Sequence, residues 1–362
     1  MTDTRDFIFL NATNISRGGG RSLLVTLIES IPDVCNVIVQ IDERLEIPVS
    51  IGKNITFRRV PATLFGRLSA DYWVKKNSKK TDLIICFGSL PLFFGSRARQ
   101  IVFVQNLYLI EDRALTGFSL KTMLRIKLER FWFDWGKGGV WNFIVQSQSM
   151  KRILLKKNGL KQENNIYVFP FSKPLDLKNF DTCSIPLKIN LPSMAEKFIY
   201  VASGEPHKNH KLLIYAWCEL ASNQIYPVLF LTIDPNEFKG LCEWIDEKIS
   251  AHKLKVINLG LLPHDEVLGW YTKVDALIYP SLFESFGLPL IEASNTGLPI
   301  IASELDYVRD ISDPLESFDP NSSISIARSV GRFLKIKLNR TPVIDASQFI
   351  ENILDIARSK KL

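Results

Sequence analysis

Short apolar runs of strand length alternate with helix-patterned segments along this chain, and the alternation runs through twice. In the first half the strand-like runs fall at 7–10, 34–41, 55–60, 83–87, 101–105, 143–146 and 166–169. In the second they fall at 198–202, 228–233, 255–259, 276–279 and 299–302. Helical patterns fill the gaps, among them 23–31 (opened by Ser22), 64–76, 210–221, 237–250, 265–271, 323–335 and 347–360. Strands that alternate with helices argue for a parallel sheet covered on both faces. Between the halves Pro170, Pro174, Pro186 and Pro192 interrupt the pattern, as in an interdomain linker. The expectation is an α/β chain of two domains. They run over 1–172 and 196–342, with a linker at 173–195 and a C-terminal helix over 343–362 that packs back on the first domain. Ligands of such sheets bind beyond the carboxyl ends of the strands, so a cleft between the two sheets is the expected site.

Composition narrows the ligand. With 46% hydrophobic and 23% charged residues the chain reads as an ordinary globular protein. A formal charge of +7 favours anionic partners such as nucleotides, lipid headgroups or nucleic acid without choosing among them. No aromatic-basic recognition module is present, which argues against nucleic acid. Cys35, Cys86, Cys183, Cys218 and Cys242 are scattered and form no C-x-x-C, so they read as reduced thiols rather than a disulfide or zinc framework. None of the four histidines is spaced like a metal pair, and no D-x-D triplet occurs. No cofactor and no metal are therefore expected. The first six residues are polar, unlike a signal peptide, and no apolar run reaches the ~20 residues of a membrane span. The expected location is the cytoplasm, with a peripheral position on the inner face of the membrane as an extension.

Three constellations carry chemistry. The first is Arg17-Gly18-Gly19-Gly20-Arg21, read as a loop after the first strand, either a plain turn or a place where backbone approaches a phosphate. It is not G-x-G-x-x-G, so a dinucleotide fingerprint is absent. The second is the segment from Ser203 to His210, where Lys208 is either a surface lysine or a cation for a diphosphate at the cleft edge. The third, at 279–293, reads YPSLFESFGLPLIEA and sets Glu284 and Glu292 on either side of a strand-to-helix turn. Either the two glutamates are solvated, or they accept hydrogen bonds from hydroxyls while the helix N-terminus faces an anion.

Taken together, the glycine loop, the lysine and E-x-F-G-x-P-x-x-E followed by Gly297-Leu298-Pro299-Ile300-Ile301-Ala302 resemble the family 4 (group 1) glycosyltransferases of the GT-B fold, of the bacterial surface-polysaccharide type. The resemblance implies two Rossmann-like domains facing a central cleft. It implies Glu284 and Lys208 as catalytic residues, with Glu284 at the donor sugar and Glu292 at the ribose. The amides of Ser285, Phe286, Gly287 and Leu288 hold the diphosphate with Gly19 and Gly20, and Leu262 lies at the nucleobase. Gln105 and Asn106 fall on the acceptor side, where the family often has a histidine. The implied reaction is retaining, metal-independent transfer of a sugar from a nucleotide-sugar to a glycan hydroxyl, with a lipid-linked oligosaccharide of O-antigen or capsule synthesis as the expected acceptor. Two alternatives stand beside it: a non-catalytic binding or scaffold subunit, and a nucleotide-sugar epimerase of the same fold.

Two further departures separate the chain from the family pattern. The usual arginine five residues before the lysine is Ser203, with Arg17, Arg21 or Lys211 as substitutes; the acidic residue near Tyr307 is Asp310 rather than Glu. Residues 120–135 combine Leu120, Met123, Leu124, Phe131 and Trp135 with Lys121, Arg125, Lys127 and Arg130. They read either as a core helix or as a basic-aromatic helix lying on an anionic membrane.

Overall fold

The computed structural model describes residues 7–46, 52, 54–112, 115, 117–157, 166–172, 195–336 and 338. The linker expected at 173–195, apart from residue 195, and the helix expected over 343–362 lie outside them.

Among the described residues, seven parallel strands make the first sheet: β1 (Phe7–Ala12), β2 (Asn36–Asp42), β3 (Ile55–Val60), β4 (Leu83–Cys86), β5 (Arg99–Phe103), β6 (Asn142–Val145) and β7 (Ile166–Val168). Their order is β3-β2-β1-β4-β5-β6-β7. Six parallel strands make the second: β8 (Lys197–Tyr200), β9 (Val228–Leu231), β10 (Val256–Asn258), β11 (Ala276–Tyr279), β12 (Ile300–Ser303) and β13 (Glu316–Phe318). Their order is β10-β9-β8-β11-β12-β13. Every residue of β9, β11 and β12 is buried. A parallel strand covered on both faces reads as continuous apolar sequence, which is why these runs stand out. The core lies in two clusters flanking the first sheet and one large cluster around the second.

The helices are α1 (Gly18–Glu29), α2 (Leu64–Asn77), α3 (Leu107–Ile110), α4 (Leu120–Gly136), α5 (Gln148–Leu155), α6 (His210–Ser222), α7 (Lys239–His252), α8 (His264–Tyr271), α9 (Leu288–Thr296), α10 (Asp306–Arg309) and α11 (Ser323–Phe333). One boundary corrects the sequence reading. The glycines expected in a loop are the first turn of α1, four residues before Ser22, with Gly18 at φ +63° forming the junction. Glycine is costly in a helix interior, but first-turn amides have no helical partner and need no side chain.

Each sheet reverses its winding direction once, between β1 and β4 and between β8 and β11. Crevices beyond the carboxyl ends of the strands open at such points. The segments after β1 and β5 meet those after β8 and β11 across the domain boundary. A Cβ on Gly19 would lie 3.0 Å from Leu288 Cδ1, and Tyr108 OH lies 3.3 Å from His207 Nδ1. Farther along, Ser149 N donates to Asp310 Oδ2 at 2.8 Å and Arg152 pairs with Asp306 at 2.9 Å. Asp310 thus serves the N-terminus of α5.

Candidate active site

Lys208 follows β8 on a single 3-10 turn, Pro206–Lys208. Hydrogen bonds tie that turn to β8, to the β11 loop and to the segment after β13. Tyr200 OH donates to Lys208 O at 2.7 Å, and Leu282 N donates to His207 O at 2.9 Å. The Asn209 side chain, on a left-handed backbone at φ +63°, donates to Pro280 O at 3.1 Å and Pro320 O at 2.7 Å. On the other side of the crevice Ser303 Oγ donates to Ser281 O at 3.1 Å and Tyr307 OH donates to the same oxygen at 2.8 Å. The loop bearing Glu284 is therefore tied down from several directions.

These loops bring Lys208 and Glu284 together. Lys208 Nζ lies 2.7 Å from Glu284 Oε1, the two side chains only 15% and 10% exposed. Tyr279 OH donates to the same oxygen at 3.1 Å. Burial pushes the Glu284 carboxyl up. The charges of Lys208 and His207, with hydrogen bonds from Lys208 and Ser281, outweigh burial and hold it below the ordinary carboxylate range. Burial first, and the Glu284 charge second, push the Tyr279 and Tyr200 hydroxyls well up, so both remain donors.

After Glu284, Phe286 is buried, and Gly287 at φ +78° turns the chain into α9. Gly287 has no side chain to cap the helix, and Pro289 in the first turn brings no N–H. Arg17 at the start of α1 gives no side-chain cap either. Two helices without side-chain N-caps thus come close across the cleft, the Leu288 side chain against Gly19, and helix N-termini attract anions. Gly20 lies beside Gln105, whose Oε1 would be 3.6 Å from a Cβ at that glycine.

Other candidate residues have protein partners. Ser203 Oγ donates to the Glu205 carboxylate. Of the proposed substitutes for the missing arginine, Arg17 pairs with Glu237 at 3.5 Å, Lys211 sits over the Trp244 ring, and Arg21 is exposed. Gln105 Nε2 donates to Phe87 O at 2.7 Å, and Asn106 Oδ1 accepts Tyr108 N at 3.0 Å as the cap of α3. Ser285 is half-buried between Glu284 and Phe286. Leu262 is half-buried against the second core. Glu292 Oε1 lies 2.8 Å from His264 Nε2, and Tyr271 OH donates to Oε2 at 3.3 Å.

Residue-type reasoning missed Tyr279, Tyr271 and His264, and with them an aromatic cluster across the domains. His207 stacks on Phe283 at 4.7 Å, and Tyr108 meets the Phe283 edge at 5.3 Å. The only signal was adjacency, His207 preceding Lys208 and Phe283 preceding Glu284. Among the described residues no group of three or more His, Cys, Asp or Glu is placed to hold a metal.

Comparison with known proteins bears on the second half of the chain above all. Residues 184–353 match the model of the group 1 glycosyl transferases. A serotype-specific mannosyltransferase, WbdA, from Escherichia coli is 29% identical over 131 residues, covering 35% of this chain and 16% of that protein. The O-antigen chain mannosyltransferase B of E. coli is 25% identical over 139 residues, covering 36% of this chain and 35% of the relative. The matched stretch thus spans well under half of either relative. Among solved structures, HepE from Anabaena in complex with UDP and glucose covers 91% of this chain and 90% of its own, with TM-score 0.65 at 16% identity. That likeness, over both sheets, is one of fold. Residues 184–353, which carry Lys208, Glu284 and Glu292, thus match the group 1 glycosyl transferase model, within a chain of the two-sheet GT-B fold.

Proposed function

We propose that this protein transfers a hexosyl unit from a nucleotide-sugar to a hydroxyl of a glycan acceptor. The observation that carries the reading is a buried Lys208–Glu284 pair, its glutamate on the loop that leads into α9, whose first residue, Leu288, meets Gly19 in the first turn of α1. Breaking the sugar–phosphate bond leaves charge on a diphosphate and an electron-poor anomeric carbon. Lys208, with three N–H donors, bridges from Glu284 to the departing phosphate. The helix amides, fixed before the reaction, meet the rest of that charge. Glu284, held ionised in a buried site, accepts hydrogen bonds from the sugar hydroxyls. Glu292 takes the ribose and Leu262 lies by the base. These groups supply the positive charge that a divalent ion supplies elsewhere, so the proposed reaction needs no metal. The anomeric configuration is retained, as in most of the family. The names of the E. coli relatives point to mannose as the sugar and an O-antigen-type glycan as the acceptor. Ser203, hydrogen-bonded to Glu205 where the family pattern has an arginine, favours a second reading of binding without turnover.

A thermal-shift panel of UDP-, GDP- and dTDP-sugars tests the donor. One sugar at a hundred times its Kd adds about 2.7 kcal/mol of stability. No shift with any of them contradicts the reading.

The acceptor is proposed to be lipid-linked because of α4. Ile126, Trp132 and Phe133 face the core, whereas Leu120, Leu124, Leu128, Phe131 and Trp135 are each more than half exposed. Steps of three and four residues set these five on one face. On neighbouring α2, which contacts α4 through Arg67 and Glu129, Leu64 and Phe65 are also exposed. Lys121, Arg125 and Lys127 lie exposed beside the stripe. An apolar stripe edged with cations suits the headgroup region of an anionic bilayer. No helix among the described residues is long and apolar enough to cross a membrane. The proposed location is the cytoplasmic surface of that membrane. The protein is expected to bind anionic vesicles at low salt and to lose about tenfold in affinity in Phe131→Ser/Trp135→Ser. Absence of binding by the unaltered protein contradicts the membrane contact.

A further inference from the structure

Glu292 has both carboxylate oxygens engaged by one helix. His264 and Tyr271 are the first and last residues of α8, seven apart and so on the same face. His264 Nε2 meets Oε1 at 2.8 Å, and Tyr271 OH donates to Oε2 at 3.3 Å. A carboxylate only accepts, so Nε2 carries the proton in this contact. Tyr271 is buried, with its hydroxyl pushed up by burial and by the Glu292 charge, and it remains a donor. His264 and Glu292 are 32% and 13% exposed. Together with Ser22 of α1, Ser172 and Leu288, they border a small pocket between the domains. Each carboxylate oxygen has two lone-pair sites, so the clamp fixes the plane of the group and leaves acceptor capacity over.

We propose that His264 is a positioning residue for the donor nucleoside. With Tyr271 it holds the Glu292 carboxylate so that its remaining lone pairs meet the two adjacent ribose hydroxyls, and it thereby sets a preference for ribonucleotides over 2′-deoxyribonucleotides. This rests on the reading of Glu292 as the ribose contact. A carboxylate free to rotate offers one good bond to either nucleotide, whereas one held in plane rewards the vicinal diol. In the same way, hydrogen-bonded partners of metal-bound side chains orient groups they do not replace.

Calorimetric titration with UDP, GDP and their 2′-deoxy analogues tests this on the wild-type protein, His264→Ala, His264→Gln and Tyr271→Phe. For the ribonucleoside diphosphate that wild type binds, His264→Ala is expected to weaken binding about 10–150-fold, the worth of one hydrogen bond to a charged group. The 2′-deoxy analogue changes less, so discrimination narrows. His264→Gln, which keeps a side-chain N–H, recovers part of the loss. In turnover, KM for the donor rises more than kcat falls. A folded His264→Ala that binds both nucleotides as wild type does, or loses both equally, overturns the inference while leaving the donor site standing. A wild type that binds neither UDP nor GDP but is stabilised by a dTDP-sugar overturns this inference alone; failure to bind any of the three overturns the donor site and this inference with it.

Discussion

Glu284→Gln is expected to lower sugar transfer by about 10²–10³-fold while the protein stays folded, a loss comparable to removing one preorganised polar group from a catalytic centre. The amide is nearly the same shape as the carboxylate and keeps an oxygen for Tyr279 OH and Lys208, which now sit at 3.1 and 2.7 Å from Glu284 Oε1. What disappears is a negative charge held in a mostly buried site. Without it the sugar loses a charged acceptor, and Lys208 keeps a neutral oxygen as partner but loses the counter-charge that holds it in place. Steady-state assays with saturating donor, alongside a melting curve, separate the two effects. A variant with normal turnover contradicts the role given to Glu284.

Lys208→Met is expected to cost about 3–5 kcal/mol of stability as well as activity, because it leaves a buried carboxylate without its cation. The pH dependence fixes the sign. In the wild-type protein the Glu284 carboxyl lies below its ordinary range, so the pair contributes stability that is present above the unfolded value. That stability is lost as pH falls through the folded value. With Lys208 gone, the largest remaining influence is burial, which moves the carboxyl upward and makes the charged form the strained one. The variant is then least stable at neutral pH, and the gap to wild type narrows on acidification. Urea melts at several pH values check this. Lys208→Met/Glu284→Gln is expected to regain much of the stability and none of the activity, which a double-mutant cycle measures. A gap that widens toward acid contradicts the ion-pair account.

Much of the fold was legible because parallel strands advertise themselves. Ala276–Tyr279 has the bounds that its unbroken apolar run implies, since both faces of that strand are covered. Lys208 and Glu284 were legible as candidates through their places after strands, but their contact bridges 76 positions of sequence and only the sheet order brings it about. The start of α1 was not legible, because three glycines signal a turn unless the first turn of a helix is considered. His264 stayed hidden for a related reason, as its partner is 28 residues away on a different helix. The cluster of Tyr108, His207 and Phe283 joins two domains, and no local pattern encodes such a meeting. In α4 apolar residues occur on both faces, so the sequence supported a core helix and a membrane helix alike. The structure shows that Ile126, Trp132 and Phe133 meet the core while the leucine stripe faces outward.

Glycosyl transfer centred on Lys208 and Glu284 is read out by release of nucleoside diphosphate from the stabilising nucleotide-sugar, with an O-antigen-type glycan as acceptor and EDTA present, by wild type and by Glu284→Gln. The account predicts steady release by wild type in EDTA, with the anomeric configuration of the product retained by NMR, and release at least about a hundredfold slower by the variant. Binding of the nucleotide-sugar with no release by wild type, or equal release by the two proteins, contradicts it.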